Sequence, residues 1–299
     1  MTDSNGSAET SVKDDALEEP KRPKMRQALI LGGGGVKGIS TLGALYVVWQ
    51  RGETFDVLAG SSVGFMECAL LCMGLEPMEI FDEVYKMEHL FSMGDVNALG
   101  TMLGSLSIIN INVVRERLLK IIRSKWSGDI PTLKQLHEIS GKILLGTTVN
   151  SDTGQLVYLS HESHPELSVL DAMLMSCALP GVFSPLVYEG AEYVDGGLLD
   201  NFPVKEVNRR WPDADCFGIV LDSEPYSGSM SIVQKRVRLM FLPVNRLTSL
   251  SIETGRARVL RLTVPVSIIE FYMPSVRKME LFLVGCKGAE RFFSTAGTE

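Results

Sequence analysis

The chain has 299 residues, 45% of them hydrophobic and 22% charged, which is ordinary for a globular protein long enough to bury a large core. Its formal net charge of -7 argues against nucleic acid as the main partner, because phosphate binding requires clustered Lys and Arg in excess. The five cysteines are odd in number and scattered through apolar segments, which favours buried, reduced thiols in a cytoplasmic protein over a disulfide framework.

Residues 1–24 are rich in Ser, Asp, Glu and Lys and contain almost no large apolar side chain. Such a segment cannot bury enough surface to offset the cost of ordering its backbone, so we predict a disordered acidic tail. It also lacks the apolar stretch of a secretory signal peptide. The longest uncharged stretch, residues 96–114, is interrupted by polar residues and glycines. It is too polar for a membrane-spanning helix, which needs roughly 20 mostly apolar residues.

The rest of the chain, residues 25–299, predicts a single α/β domain, because no repeat or low-complexity linker divides it. Residues 27–31 form a short apolar run that ends in four glycines, and residues 39–50 then have helical spacing. Residues 55–59 and 65–73 repeat this order of strand, loop and helix. Two such units imply adjacent parallel strands joined by a right-handed crossover. Further strands are predicted at 142–149, 155–159, 191–194, 216–221 and 259–264, and helices at 77–90, 113–125, 169–177, 231–242 and 276–293.

The first loop, residues 32–38, carries four consecutive glycines before a helix. Glycine there lets backbone N–H groups approach an anionic group closely. A phosphate-binding loop does not fit, because Lys37 precedes Gly38 where it should follow. The loop does satisfy G-x-G-x-x-G, and Glu53 and Asp56 lie about 20 residues on, but a ribose-binding acid belongs at the end of the second strand and Asp56 lies at its start. An oxyanion hole and a purely structural tight turn are the other two interpretations.

The second loop, residues 60–64, matches the pattern G-x-S-x-G, in which a strand turns sharply into a helix and exposes a serine hydroxyl. Gly60 and Gly64 flank Ser62 and allow a strained turn without a Cβ clash. Parallel strands would bring both loops to the same carboxyl edge of the sheet. This coincidence favours the oxyanion hole and makes Ser62 the candidate nucleophile.

A serine nucleophile needs a base, and in α/β-hydrolases the order along the chain is Ser, then Asp or Glu, then His. Residues 165–299 contain no histidine, which argues against this triad and favours a carboxylate as the base. Asp195 follows a predicted strand and precedes Gly196 and Gly197. A turn aspartate in an Asp-Gly hairpin is the alternative interpretation on local grounds.

The glycine loop, the serine turn and Asp-Gly-Gly, in this order, resemble the motifs of the patatin-like phospholipase family. Residues 33–38 are similar to its oxyanion motif, residues 60–64 to its nucleophile motif and residues 195–197 to its catalytic-aspartate motif. Residues 176–185 and 200–204 resemble it as well, so the likeness covers residues 27–207, with a looser match at 259–293. Gly32 stands where plant-type members carry an aspartate, although other members also have glycine there.

The resemblance implies a three-layer α/β/α fold with a mostly parallel central sheet. It also implies hydrolysis of acyl esters of phospholipids or neutral lipids through a Ser-Asp dyad, without a metal or cofactor. Carried over to this chain, Ser62 would be the nucleophile and Asp195 the general base. Because the base must accept the serine proton, we predict a short contact between the two side chains.

The backbone amides of Gly33, Gly34 and Gly35 would be the oxyanion donors of the same resemblance. Lys37 would hold the loop or the phosphate region of the substrate rather than perform chemistry. The remaining motif residues would support the backbone around the dyad: Gly38, Gly60, Gly64, Gly196 and Gly197.

Lipid substrates lie in membranes or lipid droplets, so we expect an apolar mouth and transient, peripheral contact with a membrane surface. Residues 87–104 mix apolar side chains with glycines and suit either a mobile lid or an ordinary core-covering segment. Residues 231–262 hold seven Lys and Arg against one acid, Glu253, which suits either an anionic lipid surface or a solvated helix face.

The leading hypothesis is a lipid acyl hydrolase of the phospholipase A type. A neutral acylglycerol lipase or a thioesterase is the alternative within enzymes, because the dyad does not distinguish leaving groups. A non-catalytic lipid-binding module would not need Ser62, Asp195 and the glycine loop together. Dinucleotide binding would predict thermal protection by NAD, which we do not expect. The sequence does not indicate an oligomeric state.

Overall fold

The computed structural model describes residues 26–87, 109–223, 232–268, 270 and 272–295. The predicted tail and nearly all of the candidate lid lie outside these residues. The strands are β1 Gln27–Leu31, β2 Val57–Gly60, β3 Ile143–Asn150, β4 Gln155–Leu159, β5 Leu186–Tyr188, β6 Ala191–Asp195, β7 Asp215–Ser223 and β8 Arg258–Val264. The helices are α1 Gly38–Gln50, α2 Val63–Cys72, α3 Pro77–Lys86, α4 Ile111–Arg123, α5 Leu133–Ser140, α6 Val169–Cys177, α7 Val204–Arg210, α8 Ile232–Thr254 and α9 Ser275–Thr295.

The eight strands in this part of the chain form one sheet in the order β5-β6-β3-β2-β1-β7-β8, and β4 pairs with β3 beside this path. Strands β3, β2, β1, β7 and β8 run parallel, whereas β3 pairs antiparallel with β4 and β6. Leu31 pairs with Gly60 in the β1–β2 register. The loops after β1 and β2 therefore leave the sheet at the same level, which confirms the adjacent parallel strands predicted from the sequence.

Side chains along β1 alternate between two cores on opposite faces of the sheet, as the two-residue period of a strand requires. Leu29 and Leu31 pack into the larger core with residues of α1, α2, α6 and α9. Ala28 and Ile30 pack on the other face, where α7 and Ile252 of α8 contribute. Helices thus cover both faces of a mostly parallel sheet, and the predicted three-layer α/β/α fold is confirmed.

Two short helices, α5 and α7, and the three-residue strand β5 were not predicted, because each offers too few residues for a clear hydrophobic period. The sequence does carry one signal for α5. Thr132 accepts a hydrogen bond from the Gln135 amide, and the Gln135 side chain accepts one from the Thr132 amide. This reciprocal pair is a capping box, whose pattern of Ser or Thr followed three residues later by Glu or Gln marks a helix start.

The predicted end of α8 at residue 242 is wrong, since the helix continues through Pro243 to Thr254. Proline removes one backbone hydrogen bond and usually ends or kinks a helix. Here the residues after it continue an apolar stripe: Val244 and Thr248 are buried, and Ile252 packs into the second core. Burial of this stripe at four-residue spacing offsets the lost hydrogen bond.

The basic residues of 231–262 do not all lie on α8. Arg256 follows this helix and donates to the Pro212 carbonyl oxygen at 2.9 Å. Arg261 lies in β8 and donates to the Asp222 carboxylate of β7 at 2.9 Å. One solvated helix face therefore does not describe the whole segment, and only its α8 part can act as a helix surface.

Candidate active site

Ser62 lies at the turn between β2 and α2, with φ of 52° and ψ of -128°, a conformation that non-glycine residues adopt only under strain. Its amide donates to Ser176 Oγ at 2.9 Å. A Cβ on Gly60 would lie 2.6 Å from the carbonyl carbon of Gly64, and one on Gly64 would clash with the Leu31 carbonyl oxygen. Gly60 therefore leaves room for the start of α2, and Gly64 lets that helix start pack against β1.

Asp195 is the last residue of β6 and is 4% exposed. Its Oδ2 accepts a hydrogen bond from Ser62 Oγ at 2.7 Å, and its Oδ1 accepts one from the Gly197 amide at 2.7 Å. The short contact predicted between Ser62 and Asp195 is thus present. The hairpin alternative is wrong, because Asp195 caps a 3-10 turn at Gly196–Leu198 instead of joining two strands.

The two glycines after Asp195 keep the carboxylate close to the sheet. A Cβ on Gly196 would clash with the backbone of Thr147 in β3, and one on Gly197 would lie 3.0 Å from Asp195 Oδ1 and 2.6 Å from Asn201 Oδ1. Any side chain at these positions would displace the aspartate or its neighbours. The Asp-Gly-Gly pattern is therefore explained by close packing.

Burial raises the pKa of Asp195 from 3.8 to about 6, while the hydrogen bonds from Ser62 and Gly197 lower it part of the way. The carboxyl group is ionised at neutral pH and becomes protonated near pH 6. A proton acceptor works best when its pKa lies close to the operating pH. Asp195 is thus a stronger base than an exposed aspartate and is already hydrogen-bonded to the hydroxyl whose proton it would take.

The three glycine amides predicted as oxyanion donors differ in whether they already have a hydrogen-bond partner. The Gly33 amide donates to the Asn201 carbonyl oxygen at 3.2 Å, and Asn201 Nδ2 donates to the Gly33 carbonyl oxygen at 3.3 Å. The amides of Gly34 and Gly35 have no hydrogen-bond partner among the described residues, and both residues line a cavity with Ser62. Of the three amides predicted as oxyanion donors, the one of Gly33 is already engaged.

Lys37 ties this loop to the end of β7. Its side chain is buried, and Nζ donates to the Asp222 carbonyl oxygen at 3.3 Å and to Ser223 Oγ. Burial lowers the pKa of Lys37 to about 8, and the Asp222 carboxylate partly offsets that effect. These contacts fit the loop-holding role expected for Lys37.

A cavity of about 190 Å³ extends from Ser62 and Asp195 between helices α1, α2, α3 and α4. Its walls are mostly apolar and include Ile39, Leu42, Leu70, Ile80, Val84 and Leu118. Of the candidate lid, Met87 is described, and it is buried in this wall. None of the three described histidines, His137, His161 and His164, lines the cavity.

Asp56, the alternative ribose-binding acid, lies before β2, at the edge of the sheet opposite the glycine loop. Its Oδ2 accepts a hydrogen bond from the Gln27 amide at 3.0 Å. The structure thus separates Asp56 from the loop, as the argument against a dinucleotide site requires.

Three residues near the dyad have no role in the sequence-based interpretation: Ser176, Asn201 and Glu67. Ser176 and Glu67 are each a polar residue in a predicted apolar helix, and that contrast was a usable signal. Asn201 acts through its carbonyl group as well as its side chain. Any residue has a backbone carbonyl group, so the residue type at this position does not predict such a contact.

Three comparisons with known proteins bear on this site. The family model described as "Patatin-like phospholipase" matches residues 29–208. The "Probable lipid hydrolase 463L" of Invertebrate iridescent virus 6 is 30% identical over 190 residues, which cover 61% of this chain and 63% of the viral protein. The lysophospholipase NTE1 of Saccharomyces cerevisiae is 27% identical over 186 residues, which cover 61% of this chain and 10% of the yeast protein. The chain thus spans less than two thirds of either relative.

Among solved structures, VipD from Legionella pneumophila is similar with a TM-score of 0.53 at 16% sequence identity. The likeness covers 91% of this chain and 67% of VipD. At that identity it supports the fold alone.

Proposed function

Because this chain belongs to the patatin-like phospholipase family, we propose that it hydrolyses the carboxylic ester bonds of glycerophospholipids as a phospholipase A-type enzyme. One observation carries the proposal. Ser62 Oγ and Asp195 Oδ2 lie 2.7 Å apart at the end of an apolar cavity suited to an acyl chain. This chain spans only part of the length of the relatives that it matches. The activities of those whole proteins are therefore not assumed for it.

In the first half of the reaction, Asp195 accepts the proton of Ser62 as Oγ attacks the ester carbonyl carbon. The bond to the leaving oxygen then breaks, and Asp195 returns the proton to that oxygen, which departs as the alcohol of a lysophospholipid. The acyl group stays on Ser62 Oγ. In the second half, Asp195 takes a proton from water, the resulting hydroxide attacks the acyl carbon, and the fatty acid leaves as Ser62 regains its proton.

The amides of Gly34 and Gly35 are the proposed donors to the oxygen that becomes negatively charged in both halves. They border the cavity beside Ser62 and have no other partner among the described residues. Donors fixed in advance stabilise the charge without reorganising during the reaction. Gly33, whose amide is bonded to Asn201, instead holds the loop in place.

The first half of α8 is the proposed contact with the membrane. Leu239 and Leu242 are 65% and 54% exposed, and Lys235 and Arg238 are exposed close by. Phe241 of the same turns lines the cavity, so this surface borders the cavity wall. Exposed leucines beside basic residues suit the boundary of an anionic bilayer. None of the described helices has the length and hydropathy needed to cross a bilayer.

The membrane contact is tested by vesicle binding of the double variant Leu239→Glu/Leu242→Glu. We expect its affinity for anionic phospholipid vesicles to fall at least tenfold at low salt. Leu283→Glu is the matched control, since Leu283 is a 45% exposed leucine on α9, and it is expected to bind as the wild type does. Equal binding by both variants would remove α8 from the interface.

The enzymatic proposal is tested by fatty-acid release from vesicles of phosphatidylcholine, from emulsified triacylglycerol and from acyl-CoA. We expect release by the wild type to be fastest from the phospholipid and to fall to background in Ser62→Ala. Ser294→Ala, an exposed serine near the end of α9, is the matched control with wild-type release. A clear preference for triacylglycerol or acyl-CoA would replace phospholipase A by an acylglycerol lipase or a thioesterase.

A further inference from the structure

Glu67 is a carboxylic acid in the wall of the apolar cavity. Glu67 is the only acidic or basic residue in α2, whose sequence is VGFMECALLC. Its side chain is only 3% exposed, and it lines the same cavity as Ser62. The reaction proposed above makes no use of it.

The surroundings of Glu67 leave part of its hydrogen-bonding capacity unused. Oε2 is buried and has no hydrogen-bond partner among the described residues. On its other side, the carboxyl group abuts the start of α1, where a Cβ on Gly38 would lie 2.7 Å from Glu67 Oε1. Glycine at position 38 therefore makes room for this carboxyl group beside the glycine loop.

Burial raises the pKa of Glu67 well above its ordinary value. Burial thus favours the neutral form, in which the carboxyl group offers one O–H donor together with acceptor oxygens. A buried polar group without a partner destabilises a fold, and a ligand that enters the cavity can supply that partner.

The position of Glu67 along α2 decides which part of a substrate it meets. It lies five residues after Ser62, so it is about 7.5 Å farther along the helix axis. Beyond it, Leu70 of α2 and Ile80 and Val84 of α3 line the cavity with apolar side chains. An acyl chain esterified at Ser62 would thus meet the Glu67 carboxyl group near its ester end, as well as these apolar side chains.

We propose that Glu67 forms a subsite for an oxygen function on the acyl chain, so that the preferred substrates are lipids with a hydroxylated, oxo or epoxidised fatty acyl group. A hydroxyl group both donates to and accepts from a neutral carboxyl group, whereas a keto or epoxide oxygen accepts its O–H. A plain methylene chain leaves Glu67 unpaired. A site built to bind a polar group discriminates against the analogue that lacks it. This inference rests on the proposed acyl hydrolysis.

Kinetics on matched substrates test the subsite. Two phosphatidylcholines that differ by one hydroxyl group on the acyl chain are compared in mixed vesicles, with the hydroxyl moved along the chain in a series. We expect the wild type to favour the hydroxylated lipid in kcat/KM by about threefold to tenfold, the contribution of one neutral hydrogen bond. The preference should be largest for hydroxyl groups near the ester.

Glu67→Leu is expected to bring that ratio to about one, because leucine cannot form a hydrogen bond with the hydroxyl group. Glu67→Gln keeps a donor and an acceptor and should retain part of the preference. Because ratios are compared between variants, differences in how the vesicles present the two lipids cancel. A wild-type ratio of one, or a preference that persists in Glu67→Leu, would overturn the subsite.

A binding measurement separates this proposal from the hydrolytic one. Dissociation constants of hydroxylated and plain fatty acids are measured with Ser62→Ala, in which no turnover can occur, and with Ser62→Ala/Glu67→Gln as a second, isosteric variant. We expect Ser62→Ala to bind the hydroxylated acid more tightly and the double variant to lose part of that difference. Equal binding of both acids by Ser62→Ala would defeat the subsite, even if the wild type hydrolyses plain phospholipid. Failure of the wild type to hydrolyse any of the lipids would defeat only the proposed hydrolytic function.

Discussion

Asn in place of Asp195 is expected to abolish hydrolysis and yet to stabilise the fold at neutral and alkaline pH. The amide keeps the shape of the carboxylate, an oxygen to accept from the Gly197 amide and a polar group beside Ser62. It removes the buried negative charge and the capacity to take the serine proton. Activity and stability should therefore change in opposite directions, as at many sites where function requires an unfavourable group.

The magnitude follows from the pKa of Asp195, which is 3.8 as an ordinary value and about 6 in the folded protein. A shift of about two units corresponds to about 3 kcal/mol. Because the folded pKa is the raised one, the stability that protonated Asp195 provides is present below pH 4 and is lost as the pH rises through 6. The variant does not titrate there, so its advantage over the wild type should grow by about 3 kcal/mol between pH 4 and pH 8.

Urea or thermal unfolding of both proteins across this pH range measures the difference. At pH 8 the expected gain in melting temperature is about 6–12 °C for a domain of this size. Asp213→Asn, which removes an exposed carboxyl group, is the matched control. A stability difference between Asp195→Asn and the wild type that stays constant from pH 4 to pH 8 would refute the reasoning.

The remaining predictions concern the reaction and its scaffold. Ester hydrolysis should decline below pH 6, because protonated Asp195 cannot accept the serine proton, and a kcat/KM profile that stays flat down to pH 4.5 would contradict this. Gly35→Ala should lower kcat by about 100-fold, since the residue has φ of 57° and its Cβ would clash with the Ile268 carbonyl oxygen. Steady-state kinetics on a variant shown to be folded by circular dichroism check this, and wild-type kcat would count against the oxyanion role of the loop. Ser176→Ala should reduce the free energy of unfolding by about 1–3 kcal/mol, because it leaves the Ser62 amide without its acceptor. Urea unfolding measures that loss, and an unchanged midpoint would mean that another group takes over the contact.

The sequence predicts those parts of the site that depend on only a few consecutive residues. The turn at Ser62 requires glycine on both sides, and Asp195 must be followed by small residues to reach the sheet. Both requirements are local, so a short motif reports them. Parallel pairing of β1 and β2 then follows from the repeated order of strand, loop and helix, which brings the two loops to one edge.

Contacts between distant segments could not be predicted in the same way. The Ser62 amide is bonded to Ser176 Oγ, which is 114 residues away in the chain, and the Gly33 amide is bonded to the Asn201 carbonyl. The course of α8 through Pro243 likewise depends on which side chains find a core to pack against. Local propensity predicts that the helix ends at the proline, whereas burial of the later residues in the folded protein lets it continue.

In the proposed reaction, Ser62 is the residue that carries the acyl group. A long-chain fluorophosphonate reacts covalently with such a serine, and mass spectrometry of proteolytic peptides locates the adduct. We expect one adduct per chain, on Ser62, with fatty-acid release lost in proportion to labelling and no adduct in Ser62→Ala. Full loss of release with Ser62 unmodified, or equal release by the wild type and Ser62→Ala, would contradict the account.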